Sequence, residues 1–237
     1  MKLCFSGFEG SIELEEGFAV TLEIHNRVLF SRVCQSLQSG AGQEAIEPYS
    51  FWGGDEEQRP GGQLLFVASP LTLPWDDREF VNGISKRMEE LVFEDECIRR
   101  ELEELSLSIN SAIAQVALQL HSDYGFTIDW ELKRYLKLLG FGIDGAPDES
   151  LFDKVIRFLQ LAEDVRLSRT ITLVSFKLFF SENEIAQILE QAVFSGLSVL
   201  LLENAPNQVS HRYERKYIID QDFLEYWSDK QSDMSVS

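Results

Sequence analysis

Two carboxylates and a lysine are the nearest this chain comes to a catalytic pattern. Pro147-Asp148 and Glu214-Arg215-Lys216 mimic the PD…ExK arrangement, in which acidic side chains hold magnesium and a lysine helps activate water. Both fragments are short, and Pro147-Asp148 also reads as a helix start, with proline in the first turn and acid near the N-terminus. A second acidic group, Asp123, Asp129 and Glu131, offers hard oxygen ligands of the kind calcium takes, but without EF-hand spacing. Capping of a helix that begins at Asp129 is the competing reading. Basic residues follow at once: Lys133, Arg134 and Lys137, beside apolar Leu132, Tyr135, Leu136 and Leu139. Lys86, Arg87, Arg99 and Arg100 punctuate an earlier helical stretch, among Glu89, Glu90, Glu94, Asp95 and Glu96. Such faces either neutralise phosphates or are solvated surfaces laced by i,i+4 ion pairs.

Other chemistries lack their residues. No Gly-Lys pair occurs anywhere, and the strand-like run Phe18–Ile24 reaches its helix through His25-Asn26 alone. The GxxxxGK[ST] loop of a nucleotide hydrolase is therefore absent. His25, His121 and His211 share no ligand spacing, and no serine sits in a GxSxG elbow. Cys4, Cys34 and Cys97 are odd in number and scattered, which argues against a disulfide framework and fits a reducing cytosol. No apolar run approaches the ~20 residues that span a bilayer, and no signal peptide is expected from MKLCFSGFEG. The net charge of −19, from 40 acidic and 21 basic residues, weighs against a polyanionic partner. A local basic surface can nevertheless coexist with an acidic exterior.

The elements that must carry these residues fall into three blocks. Residues 1–74 read as α/β. Lys2–Ser6, Ser11–Glu15 and Phe18–Ile24 are strand-like, Arg27–Leu37 carries a helical stripe with Asn26 as N-cap, and Leu64–Ala68 is a buried-type strand. Ser39–Gln63, with GGDEEQRPGG, reads as a loop. From Trp75 helical periodicity takes over. Val81 to Leu120 predicts one helix of nearly forty residues, on the order of 55 Å at 1.5 Å per residue, followed by helices at Asp129–Leu139 and about Leu151–Val165. Thr170–Asn204 then reads strand, loop, helix, strand. Ser181 and Glu184 form a capping box, Gly196 is the C-cap, and both flanking runs are continuously apolar, as in a buried parallel sheet. Lys177, in its loop, has no evident partner. The last residues, 228–237, are polar and expected to be disordered.

Several stretches resemble the small type II-A CRISPR adaptation family (Csn-two). They are MKLCFS, FAVTLE followed by VLFSRVCQSL, LLFVASPL, the acidic helix with MEELVFEDE, LKRYLKLLGFGID, LFDKVIRFLQL, TITLVSFKLFFSENEI…LSVLLLEN and YIIDQDFLEYW. The resemblance covers nearly the whole chain as a series of patches, with GGDEEQRPGG as an insertion.

The resemblance implies an α/β fold: a P-loop-NTPase-like head with a mainly parallel sheet, residues 1–74 and 168–237, and an inserted, extended all-helical leg, residues 75–167. It implies a non-catalytic, cytoplasmic homotetrameric ring that binds double-stranded DNA ends, without sequence specificity, in a basic central hole. It also implies structural calcium, and work in spacer acquisition beside the integrase proteins and the effector nuclease. Lys133, Arg134 and Lys137, with Lys86 and Arg87, are the expected DNA-binding residues. Asp123 and Asp129 are the expected calcium ligands, in a turn less acidic than the family pattern. A divergent nuclease or NTPase, and a protein-only scaffold, are the alternatives.

Overall fold

A computed structural model describes residues 1–14, 17–122, 124–125, 131–143, 148–207 and 209–228 of the chain. It divides into two compact units, Met1–Trp75 with Ala146–Ser237, and Asp76–Gly145. The expected tail from residue 229 onward lies outside the described residues.

The larger unit is mixed α/β. Its strands are β1 (Lys2–Phe5), β2 (Ser11–Glu13), β3 (Ala19–Ile24), β4 (Tyr49–Gly53), β5 (Glu56–Gln58), β6 (Leu64–Val67), β7 (Thr170–Val174), β8 (Val199–Glu203), β9 (Glu214–Ile219) and β10 (Glu225–Ser228). Helices α1 (Arg27–Ser39), α5 (Leu151–Asp164) and α6 (Glu182–Phe194) pack with them. Between α1 and α5 in the chain lie α2 (Arg78–Glu94), α3 (Glu96–Ala117) and α4 (Leu132–Leu138), which make up the other unit.

Six strands form the main sheet in the order β10-β9-β3-β8-β7-β6, parallel throughout except for β10, which folds back on β9. β8 is buried along its whole length, the apolar run Val199–Leu202 and Glu203 alike. Because side chains alternate across a strand, β3 sends Val20, Leu22 and Ile24 to one face and Thr21 and Glu23 to the other. The first face meets Val33 and Leu37 of α1 and a small antiparallel sheet, β2-β1-β4-β5, in one core that includes Leu3, Phe5, Ile12, Tyr49 and Phe51. The second face is the one that carries the polar residues.

The Thr170–Asn204 unit has the expected form. Ser181 accepts from the Glu184 N–H while the Glu184 carboxylate receives the Ser181 N–H. At the far end Gly196 takes φ 66, and the N–H groups of Gly196 and Leu197 reach back to Val193 and Ala192 at 3.0 and 2.9 Å. That is a Schellman closure, open to glycine because a Cβ is strained at this φ.

Three expectations are corrected. Residues 39–63 are not a loop: β4 and β5 lie there, joined by a two-residue hairpin whose first residue, Gly54, has φ 64. β4 pairs with β1, over forty residues upstream, so nothing local announces it. β9 and β10 also go unforeseen, because Glu214, Arg215 and Lys216 interrupt the apolar pattern by which a buried strand is read. The forty-residue helix is two helices. At Asp95 the backbone is extended (φ −103, ψ 100), and its carboxylate accepts the Cys97 and Ile98 N–H groups, which caps α3 and ends α2.

Ser181→Ala is expected to cost about 1 kcal/mol, the usual value of an N-cap hydroxyl, read as a lower urea midpoint with unchanged slope. An unchanged midpoint would mean that the capping box contributes nothing net.

Candidate functional site

The polar face of the main sheet holds a network of buried charge. On β3, β8 and β9, Thr21, Glu23, Glu203, Glu214 and Lys216 share this face, and none is more than 5% exposed. The strand register sets Glu23 beside Glu203, and Thr21 beside Lys216. Lys177 enters from the short 3-10 turn Phe176–Phe179 that follows β7, and its ammonium pairs with the Glu214 carboxylate beneath the sheet. Thr21 Oγ1 donates to the same carboxylate at 2.5 Å, and the His211 N–H approaches its other oxygen at 3.3 Å. The Lys177 N–H donates to Glu203 Oε1 at 2.9 Å. Lys216 Nζ donates to the Asn207 and Val209 carbonyls at 2.7 and 2.5 Å. His25 Nε2 lies 2.7 Å from Glu23, and His211 Nε2 lies 3.1 Å from Glu182 without hydrogen-bond alignment.

Burial dominates the titration of these groups, and ion pairing reverses it at one of them. It pushes the Glu203 carboxyl up to about 7, against the opposing pull of the Lys177 and Phe176 amides and the Lys177 charge. It pushes His211 and Lys216 below their ordinary values. At Glu214 burial also acts upward, but the Lys177 ammonium and the Thr21 hydroxyl outweigh it and hold the carboxyl low.

In open parallel sheets ligands bind beyond the carboxyl ends of the strands. Here that edge is occupied by the protein's own groups. Asn26 Oδ1 accepts the Val28 and Leu29 N–H groups, so the first amides of α1 are already bonded. Asn204 Nδ2 donates to the Ile24 carbonyl at 2.7 Å.

Of the PD…ExK residues, Asp148 is exposed, whereas Glu214 and Lys216 are committed to buried partners. With 2% exposure, Lys216 is removed from the cations that an external polyanion can touch. Of the network, only Glu23 and Glu203 carry a local signal, as charged residues in otherwise apolar, strand-like runs.

The expected DNA-binding residues lie on the helices of the second unit. Lys133, Arg134 and Lys137 are exposed on α4, a one-sided helix that buries Leu136. Arg134 pairs with Glu131 at 2.5 Å, while Lys133 and Lys137 make no ion pair with a described residue. On α2, Lys86 and Arg87 share one carboxylate, Glu90, at 3.9 and 3.2 Å. Asp123 and Asp129 fall outside the described residues. Among the described residues, no group of three or more His, Cys, Asp or Glu side chains could hold a metal ion, and no helix is long and apolar enough to cross a membrane.

A family described as "CRISPR-associated protein (Cas_Csn2)" matches residues 51–223. No curated protein matches the chain. Among solved structures, a nucleotide-free ATP-binding cassette from an ABC transporter is 13% identical, with 93% of this chain and 88% of that one covered and a TM-score of 0.41. A second ATP-binding cassette of an ABC transporter, in its ADP conformation, is 11% identical over 88% and 79%, with a TM-score of 0.43.

Lys177→Met leaves Glu214 charged, buried and unpaired, and is expected to cost about 3–5 kcal/mol. Adding Glu214→Gln should recover part of that loss, which a double-mutant cycle in urea measures. A depressed carboxyl contributes stability that is complete above its unfolded value of 4.5 and is lost as acid titrates the folded group. Acid destabilisation below pH 4.5 should therefore be shallower in Glu214→Gln.

Proposed function

The chain belongs to the type II-A CRISPR-associated Csn2 family, and from that membership we propose that it acts in spacer acquisition as a non-catalytic ring protein that binds double-stranded DNA ends. The family match over residues 51–223 is the observation that carries the reading. In this proposal the α/β unit is a P-loop-NTPase-like head that has no phosphate loop, and the helices of the second unit form an extended leg. Four copies close a ring in the cytoplasm, with calcium at Asp123 and Asp129 buttressing the legs. The spacer integrase proteins and the effector nuclease are its partners.

Three features of the molecule support the reading. The junction where a nucleotide hydrolase would cradle phosphate is only His25-Asn26, and Asn26 caps α1 itself. Lys133 and Lys137 present charge on an exposed helix, with no described carboxylate within ion-pair reach. On α3, Leu105, Leu107, Ile109, Ile113 and Val116 are exposed, an apolar surface of the kind that assembly covers. An acidic exterior with a basic inner wall also reconciles a net charge of −19 with a polyanionic ligand. Phosphate recognition carries no base information, so binding is to duplex geometry and ends.

Gel shifts over a salt series with linear and closed-circular duplex test the DNA reading. Linear DNA should bind more tightly than circles. Lys133→Ala, Arg134→Ala and Lys137→Ala together should weaken binding to all sequences alike and make the salt dependence shallower, by about 0.9 in slope for each phosphate that is no longer neutralised. Equal affinity for circles overturns threading, and an unchanged dissociation constant moves the interface elsewhere. DNA cleavage with magnesium, or phosphate release from ATP, would replace the proposal with an enzyme. An oligomer that shifts no DNA would replace it with a scaffold. Light scattering on the purified protein should give four copies. A chelator should lower the melting midpoint, because a ligand of the folded state alone stabilises it; an unmoved midpoint removes calcium.

A further inference from the structure

α3 keeps its apolar residues on the side that the protomer leaves open. Its inward side carries Ser106, which is buried, with Leu102, Asn110 and Ala117 half-buried. Ile98, Leu105, Ile109, Ile113, Val116 and Leu120 are 46% to 63% exposed. Leu120 lies just past the helix, in a turn whose N–H still reaches the Ala117 carbonyl at 3.0 Å. Together with Leu102, these residues follow one another at intervals of four, three, four, four, three and four. Such intervals make one continuous stripe, of the kind that seams two helices together.

The intervals read the same in both directions from Ile109. A second α3 laid antiparallel, with Ile109 on a two-fold axis, therefore sets Ile98 opposite Leu120, Leu102 opposite Val116 and Leu105 opposite Ile113. An isologous contact needs this self-complementarity, since residue i must meet j wherever j meets i. A different partner would impose no such symmetry on the stripe.

Charge selects the same orientation. Every charged residue of α3 (Glu96, Arg99, Arg100, Glu101, Glu103 and Glu104) precedes Leu105, and none occurs from Leu105 to Leu120. In an antiparallel pair each charged end lies beside the uncharged half of the other copy. In a parallel pair Glu101, Glu103 and Glu104 would stand beside their own counterparts, and like charges so placed are costly. The net charge of −19 adds to this, because two copies repel and are best joined where neither carries charge.

We propose that α3 is a self-docking helix, through which two copies of this chain pair antiparallel about Ile109. The pair gives one contact of the proposed ring its residues and its direction. It rests on that reading only in requiring an assembly, and it needs neither DNA nor a particular number of copies.

Cysteine cross-linking on the full chain tests the pair, in a Cys97→Ser parent that lacks the exposed thiol beside the stripe. With a short bismaleimide, Ile109→Cys should link to its own copy where the parent does not. Ile98→Cys should not link to itself, because its two positions stand about 33 Å apart at 1.5 Å per residue. It should link to Leu120→Cys when the two chains are co-expressed. Ile98→Cys linked to itself overturns the antiparallel pair. Unlinked Ile109→Cys in particles that light scattering shows to be oligomeric overturns the pair and leaves the ring standing. A linked dimer keeps the pair and overturns the ring of four. Ile109→Glu, which puts two carboxylates on the axis, should at least halve the copies per particle with the helical circular dichroism unchanged; particles of unchanged size overturn the proposal.

Discussion

The ion pair between Lys177 and Glu214 is the constraint around which the α/β unit is organised. Lys177 belongs to the turn after β7, and Glu214 opens β9; in the sheet β8 and β3 lie between those two strands. The turn passes beneath β8, where the Lys177 N–H meets Glu203, and the lysine side chain covers the remaining distance to Glu214. Thr21 and His211 complete the carboxylate's bonding, so one buried anion joins β3, β9 and the turn. Such a pair is weak evidence for stability, because desolvation offsets most of the attraction. What it does is specify: any other placement of the turn or of β9 strands a charge in an apolar interior.

This network also fills the edge at which a parallel sheet usually meets its ligands. At the carboxyl edge of a parallel sheet the usual occupants are ligands, approached through bare helix amides and a glycine-rich turn. Here Asn26 bonds the first amides of α1, Asn204 bonds the Ile24 carbonyl, and Lys216 is held by two carbonyls. The cations and anions at this edge satisfy one another. Accessible charge lies instead on α2 and α4, in a unit that buries few of its apolar side chains and leaves much of α3 exposed. The division is consistent: the sheet consumes its polar groups internally, and the helices present theirs outward.

Legibility follows the range of the signals. Thr170–Asn204 is readable because a capping box, an apolar stripe, a left-handed glycine and two apolar runs all act within a few residues. Asp95 misleads because a single aspartate among glutamates looks like solvated surface, whereas its side chain captures two amides and breaks the helix. α5 shows the limit of periodicity. Its stripe of Val155, Phe158, Leu159 and Ala162 fits a helix neighbour or a sheet equally, and the structure places it in the α/β unit, against α6. The buried network is half visible: Lys177 stands out as a charge without an evident partner, but nothing in the sequence points from it to Glu214.

By itself the sequence determined the mixed α/β character, the crossover from β7 to β8, the missing phosphate loop and the position of the exposed basic helix. Each follows from residues near one another in the chain, through capping, alternation and backbone preference. Only the tertiary structure decided the pairing of β4 with β1, the place of β9 beside β3, and the fates of Glu203, Glu214, Lys177 and Lys216. Those depend on strands that meet across tens to hundreds of residues. Whether a charged side chain is surface or interior is set by what the fold lays over it, and that is not a local property.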